Sequence, residues 1–267
     1  MRPSFLSRPK YSMLGQLPAT IAPNCAILTS VKPSIAAATL RSSGWLSGQP
    51  ERFQEALLAR ARLRFHAAGS TIFRIGDPPG DLCGLVKGEL AVFITPEFTN
   101  PALIHMARPV WWAGELAMIT GNPRRIGLVA RKDSWVMHVP LAWIEKLARD
   151  DHETWRYVAR IAAINLEHAI SQGMSWQISD AQVRVALALG RLAASGPQPA
   201  GPVTLHISHG ELGAMARLTR NAVTEILAQF EAAGLVRRNY RRLEITDVEA
   251  LARFAAERIA HLEDLPG

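Results

Sequence analysis

The stretch Ile207-Ser-His-Gly-Glu211-Leu-Gly-Ala-Met-Ala-Arg217-Leu-Thr-Arg-Asn-Ala-Val-Thr-Glu225-Ile-Leu decides the reading of the chain. Ser208 can cap a short helix, and Glu211 three residues later completes a capping box. Leu212, Met215 and Ala216 give that helix one apolar side. Thr219 can cap a second helix, in which Val223, Ile226, Leu227 and Phe230 share a face. Asn221, Thr224 and Glu225 point away from that face, with Arg220 at its flank near the helix start. Two short helices with a tight turn, the second showing polar residues early, predict a DNA-reading helix-turn-helix. Arg217 occupies the turn, where a positive φ would cost a non-glycine residue roughly 1 kcal/mol.

The chain continues Gly234-Leu-Val-Arg-Arg-Asn-Tyr-Arg-Arg-Leu-Glu-Ile-Thr246. Gly234 ends the second helix, and Leu235-Val236 with Leu243-Ile245 alternate as a hairpin. Arg237, Arg238, Arg241 and Arg242 gather around its tip, a basic wing placed to meet phosphates. Candidate DNA contacts are therefore Ser208, His209, Thr219, Arg220, Asn221, Thr224, Glu225, Arg238 and Arg241. By type, an arginine suits guanine, an asparagine adenine, and a glutamate the cytosine amino group.

Upstream, the texture is of short strands. His66-Ala-Ala-Gly69 and Gly76-Asp-Pro-Pro-Gly-Asp81 bracket Thr71–Arg74, and an apolar run from Leu85 to Ile94 has Gly88 near its centre. Further runs lie at Gly127–Ala130 and Trp135–Val139. Turn signals this close predict an antiparallel roll or sandwich, ending near Pro140. Before it, Arg52–Arg62 reads as a short helix. After it, Leu141 to about Gly173 is helical, with Trp155, Val158, Ala162, Asn165, Ala169 and Gln172 at heptad spacing. Ile161, Ile164 and His168 form a second stripe, so this helix needs two partners, such as its own β-domain and a second copy of itself. Ser179-Asp180 can cap the next helix, Val183–Leu192, and the proline-rich loop 196–202 ends it.

The net charge of +7 favours a polyanionic partner. Two cysteines, Cys25 and Cys83, exclude a disulfide framework and a four-thiolate cluster, and fit a cytoplasmic setting. No run of about 18 apolar residues is present, so no membrane partner is expected. Residues 1–50 lack Asp and Glu and are rich in Ser, Pro and Ala. Their prolines break any targeting pattern, so residues 1–43 are expected to be a disordered extension.

Taken in order, three markers between Gly44 and Ala256 resemble the CRP/FNR superfamily of bacterial transcription regulators. They are the glycines of Gly69…Gly76-Asp77…Val86-Lys87-Gly88, the segment Gly114-Glu-Leu-Ala117…Pro123-Arg124, and the helix-turn-helix with its wing. The resemblance implies an α+β chain: a cyclic-nucleotide-binding-like antiparallel β-roll over 44–150, a dimerisation helix and hinge over 151–177, a winged helix-turn-helix over 178–258, and a tail over 259–267. It implies a non-enzymatic regulator, working as a homodimer on pseudo-palindromic double-stranded DNA and able to meet RNA polymerase. It also makes Gly114, Glu115, Leu116, Arg124 and Arg125 the effector-binding candidates, with Glu115 at the ribose position and Arg124 at the phosphate position. Arg125 and Ile126-Gly127 lack the usual hydroxyl, and Ala169 and Ile170 stand where cyclic-AMP-binding members carry hydroxyls. An adenine there would leave polar edges unpaired at about 1–3 kcal/mol each. A cyclic nucleotide is thus disfavoured as effector, and the cysteine set of the iron–sulfur branch is absent.

Two other classes compete. A metal-dependent enzyme on a small β-barrel would need clustered His and Glu ligands, and the β-region has no His-x-His pair. A nucleotide sensor or scaffold that does not use DNA would leave the reading helix and arginine wing unexplained.

Overall fold

The computed structural model describes residues 31–95, 102–194, 201–239 and 242–263. Its first elements are three short helices, α1 (Pro33–Ser42), α2 (Gly44–Ser47) and α3 (Glu51–Leu58). Folded chain therefore begins upstream of Gly44. Ala36 and Leu40 of α1 are fully buried in a core shared with Trp45, Phe53, Leu57, Trp112 and Val158, which corrects the extension expected over 31–43. The helix expected to run to Arg62 stops at Leu58, because the chain turns into a strand there.

Eight strands follow: β1 (Arg62–His66), β2 (Thr71–Phe73), β3 (Leu82–Lys87), β4 (Leu90–Ile94), β5 (Ala102–Ala107), β6 (Trp112–Ala113), β7 (Ile126–Ala130) and β8 (Ser134–Val139), with helix α4 (Glu115–Thr120) between β6 and β7. They form two antiparallel four-stranded sheets, ordered β1-β8-β3-β6 and β2-β7-β4-β5. Leu85, Val92, Leu128 and Val136 fill the space between them. This is the expected roll.

Two helices then stand where one helical stretch was expected: α5 (Leu141–Asp150) and α6 (Glu153–Ser175). Thr154, Val158 and Ile161 bury one face of α6 against the N-terminal helices and the roll. Val158 and Asn165 thus face the protein's own core, and the heptad seam drawn through them is corrected. The open face lies further round the helix, where Ala159, Leu166, Ala169, Ile170 and Met174 are exposed and Ala162 and Gly173 are half-buried. Leu166 is 60% exposed and Met174 65%.

The last part comprises α7 (Ala181–Ala194), β9 (Val203–Leu205), α8 (His209–Ala216), α9 (Arg220–Ala232), β10 (Val236–Asn239), β11 (Arg242–Ile245) and α10 (Val248–Glu263). Asp180 accepts from the amides of Gln182 (2.8 Å) and Val183 (3.2 Å), capping α7 as expected. The strand β9 extends the wing hairpin to a three-stranded sheet, β10-β11-β9. The expected tail from 259 is instead the end of α10. Most of the 196–202 loop lies outside the described residues.

The two halves share a core. Ala91, Leu103 and Met106 of β4 and β5 pack in one cluster with Val183, Leu212 and Leu227. Beside it is a polar clamp. Glu89, 2% exposed, meets Arg131 Nε (3.4 Å), Lys132 Nζ (3.4 Å) and Arg108 Nε (4.0 Å). Arg131 also donates to both carboxylate oxygens of Glu211 on α8 and to the His206 carbonyl (3.0 Å), and Arg108 donates to the Thr204 carbonyl (2.9 Å).

Candidate DNA interface and sensor cassette

The cap of α8 forms as its sequence dictates. Ser208 Oγ accepts from the Glu211 amide (3.2 Å), and Glu211 Oε2 accepts from the Ser208 amide (2.9 Å). Burial alone would raise the Glu211 carboxyl, but the bonds from Arg131 and Ser208 outweigh it and hold the group below the usual range. At the turn, Arg217 takes φ 53°, the left-handed conformation anticipated there, and its guanidinium lies 5.3 Å from the Trp176 ring centre. Gly213 is also required. A Cβ on it would stand 2.6 Å from the Leu218 carbonyl oxygen, where the backbones of α8 and the turn touch.

Thr219 caps α9 by accepting from the Ala222 amide (3.2 Å), and Val223, Ile226, Leu227 and Phe230 are buried. Arg220, Asn221 and Glu225 are exposed. Thr224 donates to the Arg220 carbonyl (2.9 Å), so its oxygen must accept from His209 Nδ1 (2.7 Å). That fixes the His209 tautomer and ties the starts of α8 and α9 together. Burial, then Arg238 and Arg220, lowers the pKa of His209, favouring its neutral form.

Between the helix starts and the wing lies a cleft of about 440 Å³ lined by Ser208, His209, Arg220, Arg238, Asn239 and Arg242 among others, with no acidic side chain in its wall among the described residues. The wing arginines divide. Arg238 is bound to Glu231 (2.7 Å) and Arg237 to Glu244 (2.9 Å), so their charges are partly spent inside the domain. Arg242, passed over in choosing candidate residues, is exposed in the cleft, whereas Arg241 lies outside the described residues. Thr219 serves as a cap outside the cleft lining.

The cassette brings together three of its five expected residues. Gly114 has φ 112°, and a Cβ there would meet the Asp81 carbonyl at 2.8 Å and Arg124 Nη1 at 2.9 Å. Arg124 is buried, lies 3.9 Å from the Phe73 ring centre and donates to the Asp81 carbonyl (2.9 Å), while its Nη1 has no hydrogen-bond partner. Burial lowers its pKa. Glu115 is also buried, accepts from Asn165 Nδ2 on α6 (3.0 Å), and is pushed upward by desolvation against that bond. Leu116 and Arg125 do not join them; both are exposed.

Comparison with known proteins agrees with this geometry. The cyclic nucleotide-binding domain matches residues 63–151, and the Crp-like helix-turn-helix domain matches residues 183–254. Among solved structures, FixK2 from Bradyrhizobium japonicum is similar at a TM-score of 0.64 and 21% identity, covering 72% of this chain and 96% of its own. The transcriptional regulator TTHA1359 of the CRP/FNR family from Thermus thermophilus is similar at 0.60 and 22%, covering 73% and 98%. The c-di-GMP-responsive global regulator CLP of Xanthomonas campestris is similar at 0.61 and 17%, covering 74% and 100%. No curated protein matches the chain in sequence. Fold and site define a transcription regulator with a β-roll sensor and a winged helix-turn-helix. The chain belongs to the CRP/FNR superfamily. Among the described residues, no helix is long and apolar enough to cross a membrane.

Proposed function

We propose that the chain binds DNA as a homodimer and that an anion held in the β-roll sets its affinity. The acid-free cleft between the reading helix and the wing carries this reading. Arg220, Asn221 and Glu225 read base edges, while Ser208, His209, Arg238 and Arg242 meet the backbone. The second copy pairs along Ala162, Leu166, Ala169 and Gly173 of α6. Leu166, Ile170 and Met174 are exposed there, and burying each stabilises a dimer by about 1.5–3 kcal/mol before association costs.

For the effector, the unpartnered Nη1 of buried Arg124 suits a phosphate or other small anion. The sugar and base of a cyclic nucleotide fit less well. Glu115 is already engaged by Asn165, and Ala169 and Ile170 are exposed and carry no hydroxyl. Selection of operators from a random duplex pool tests the reading. Two related half-sites about one helical turn apart are expected. A pool that shows no enrichment would refute it.

A further inference from the structure

A second cavity, about 720 Å³, lies between the α1–α2 turn and α2, strand β5 with the loop into β6, α6, and the end of α7. None of Gly114, Glu115 and Arg124 lines it, so it is separate from the cassette, although Asn165 belongs to both walls. Its size is that of a small-molecule site. Trp45, Trp111, Trp112, Ile161 and Ile164 make the wall largely apolar and aromatic. His105 tilts against Trp111 at 5.7 Å and stacks towards His168 at 6.4 Å.

The charged groups of the wall share one sign: among the described residues Arg108 and Arg160 line the cavity, and no Asp or Glu does. Arg108 is committed to Glu89 and the Thr204 carbonyl. Among the described residues Arg160 has an uncharged partner, Gln49 Oε1 at 2.8 Å, and a distant ring contact with Tyr157. A ligand that fits must therefore be flat, apolar on its faces, and anionic at one end.

We propose that this cavity binds a small aromatic carboxylate, its ring against Trp111 and His105 and its carboxylate on Arg160. Because Ala194 of α7 borders the same space, an occupant touches the sensor roll, the long helix and the DNA-binding part together. Its influence on DNA rests on the function proposed above; its binding does not.

The test is calorimetric titration of the full chain with benzoate and 4-hydroxybenzoate, with 4-hydroxybenzamide as the neutral comparator. Saturable binding of the carboxylates is expected, with the amide at least about tenfold weaker. Arg160→Gln should weaken the carboxylates by a similar factor, and Ile164→Trp, which pushes a bulkier side chain into the wall, should weaken binding further while circular dichroism reports an intact fold. Arg124→Gln should leave this binding unchanged. Absence of saturable binding by both carboxylates overturns the proposal. So does binding that Arg160→Gln and Ile164→Trp leave intact, or that Arg124→Gln alone removes. Operator affinity measured with and without 4-hydroxybenzoate separates the two readings. Ligand binding without any DNA binding would sink the DNA reading and leave this site standing.

Discussion

Arg131 ties the sensor roll to the first helix of the DNA-reading pair, and a double-mutant cycle with Glu211 measures that tie. Its charge-assisted bonds to Glu211 are each worth about 1.5–3 kcal/mol at full burial. The two side chains are 23% and 29% exposed, so solvent trims the pair, and about 1–2 kcal/mol of coupling is expected. Arg131→Met alone should cost more, about 3 kcal/mol, because it removes one of three cations from Glu89, which is 2% exposed. Glu211→Gln alone should cost about 1 kcal/mol, since an amide oxygen can still cap Ser208. Urea unfolding followed by two signals provides the assay. Six of the seven tryptophans lie at or before residue 155, whereas Trp176 donates to the Met215 carbonyl of α8; in a Trp176→Phe background fluorescence therefore follows the roll and long helix, and far-ultraviolet dichroism follows the whole chain. The signals should coincide in the wild type and separate in Arg131→Met, where the DNA-binding part melts first. A coupling energy below about 0.3 kcal/mol, with coincident transitions in every variant, would refute the clamp.

Three further outcomes follow from particular contacts. Leu166→Lys, on the uncovered seam of α6, should shift the chain to monomer in sedimentation at micromolar concentration; an unchanged dimer would place the interface elsewhere. Gly213→Ala should destabilise by about 1–3 kcal/mol, because its Cβ meets the Leu218 carbonyl at 2.6 Å, and an unchanged urea midpoint would contradict that close approach. Burial, with His168 and Arg191 nearby, lowers His105 to about 4, so the folded chain holds it neutral where the unfolded chain would protonate it. Stability should therefore fall as pH drops from about 6.5 towards 4, by up to about 3 kcal/mol, and the difference between wild type and His105→Leu should carry that slope. A pH-independent difference would show that His105 is not held neutral.

The helix-turn-helix was legible because its determinants are local. The Ser208–Glu211 box, the Thr219 cap and the apolar face through Phe230 all lie within a few residues of their partners. Arg217 was marked as the turn position where a positive φ would carry a cost, and it takes φ 53°. The open face of α6 lies part of a turn from the heptad stripe through Val158. Heptad spacing marks apolar positions, but only the fold shows that Val158 and Ile161 are already covered by the chain's own roll. The α1 helix has few large apolar residues in its Ala- and Ser-rich sequence, and its burial depends on the distant Trp112 and Val158 as well as on nearby Trp45. Charge counting made all four wing arginines equal, whereas Glu231 and Glu244 engage two of them. The bond from Asn165 to Glu115 spans 50 positions, and no spacing rule reaches that far.

The most direct test of the central claim is binding of the selected operator, followed by fluorescence anisotropy, for wild type and Arg220→Ala over a series of salt concentrations and single-base changes. Wild-type affinity should fall steeply with salt. Arg220→Ala should lose about 1–3 kcal/mol, concentrated at one base pair whose preference disappears. Equal affinity and equal base preference for the two proteins would contradict it.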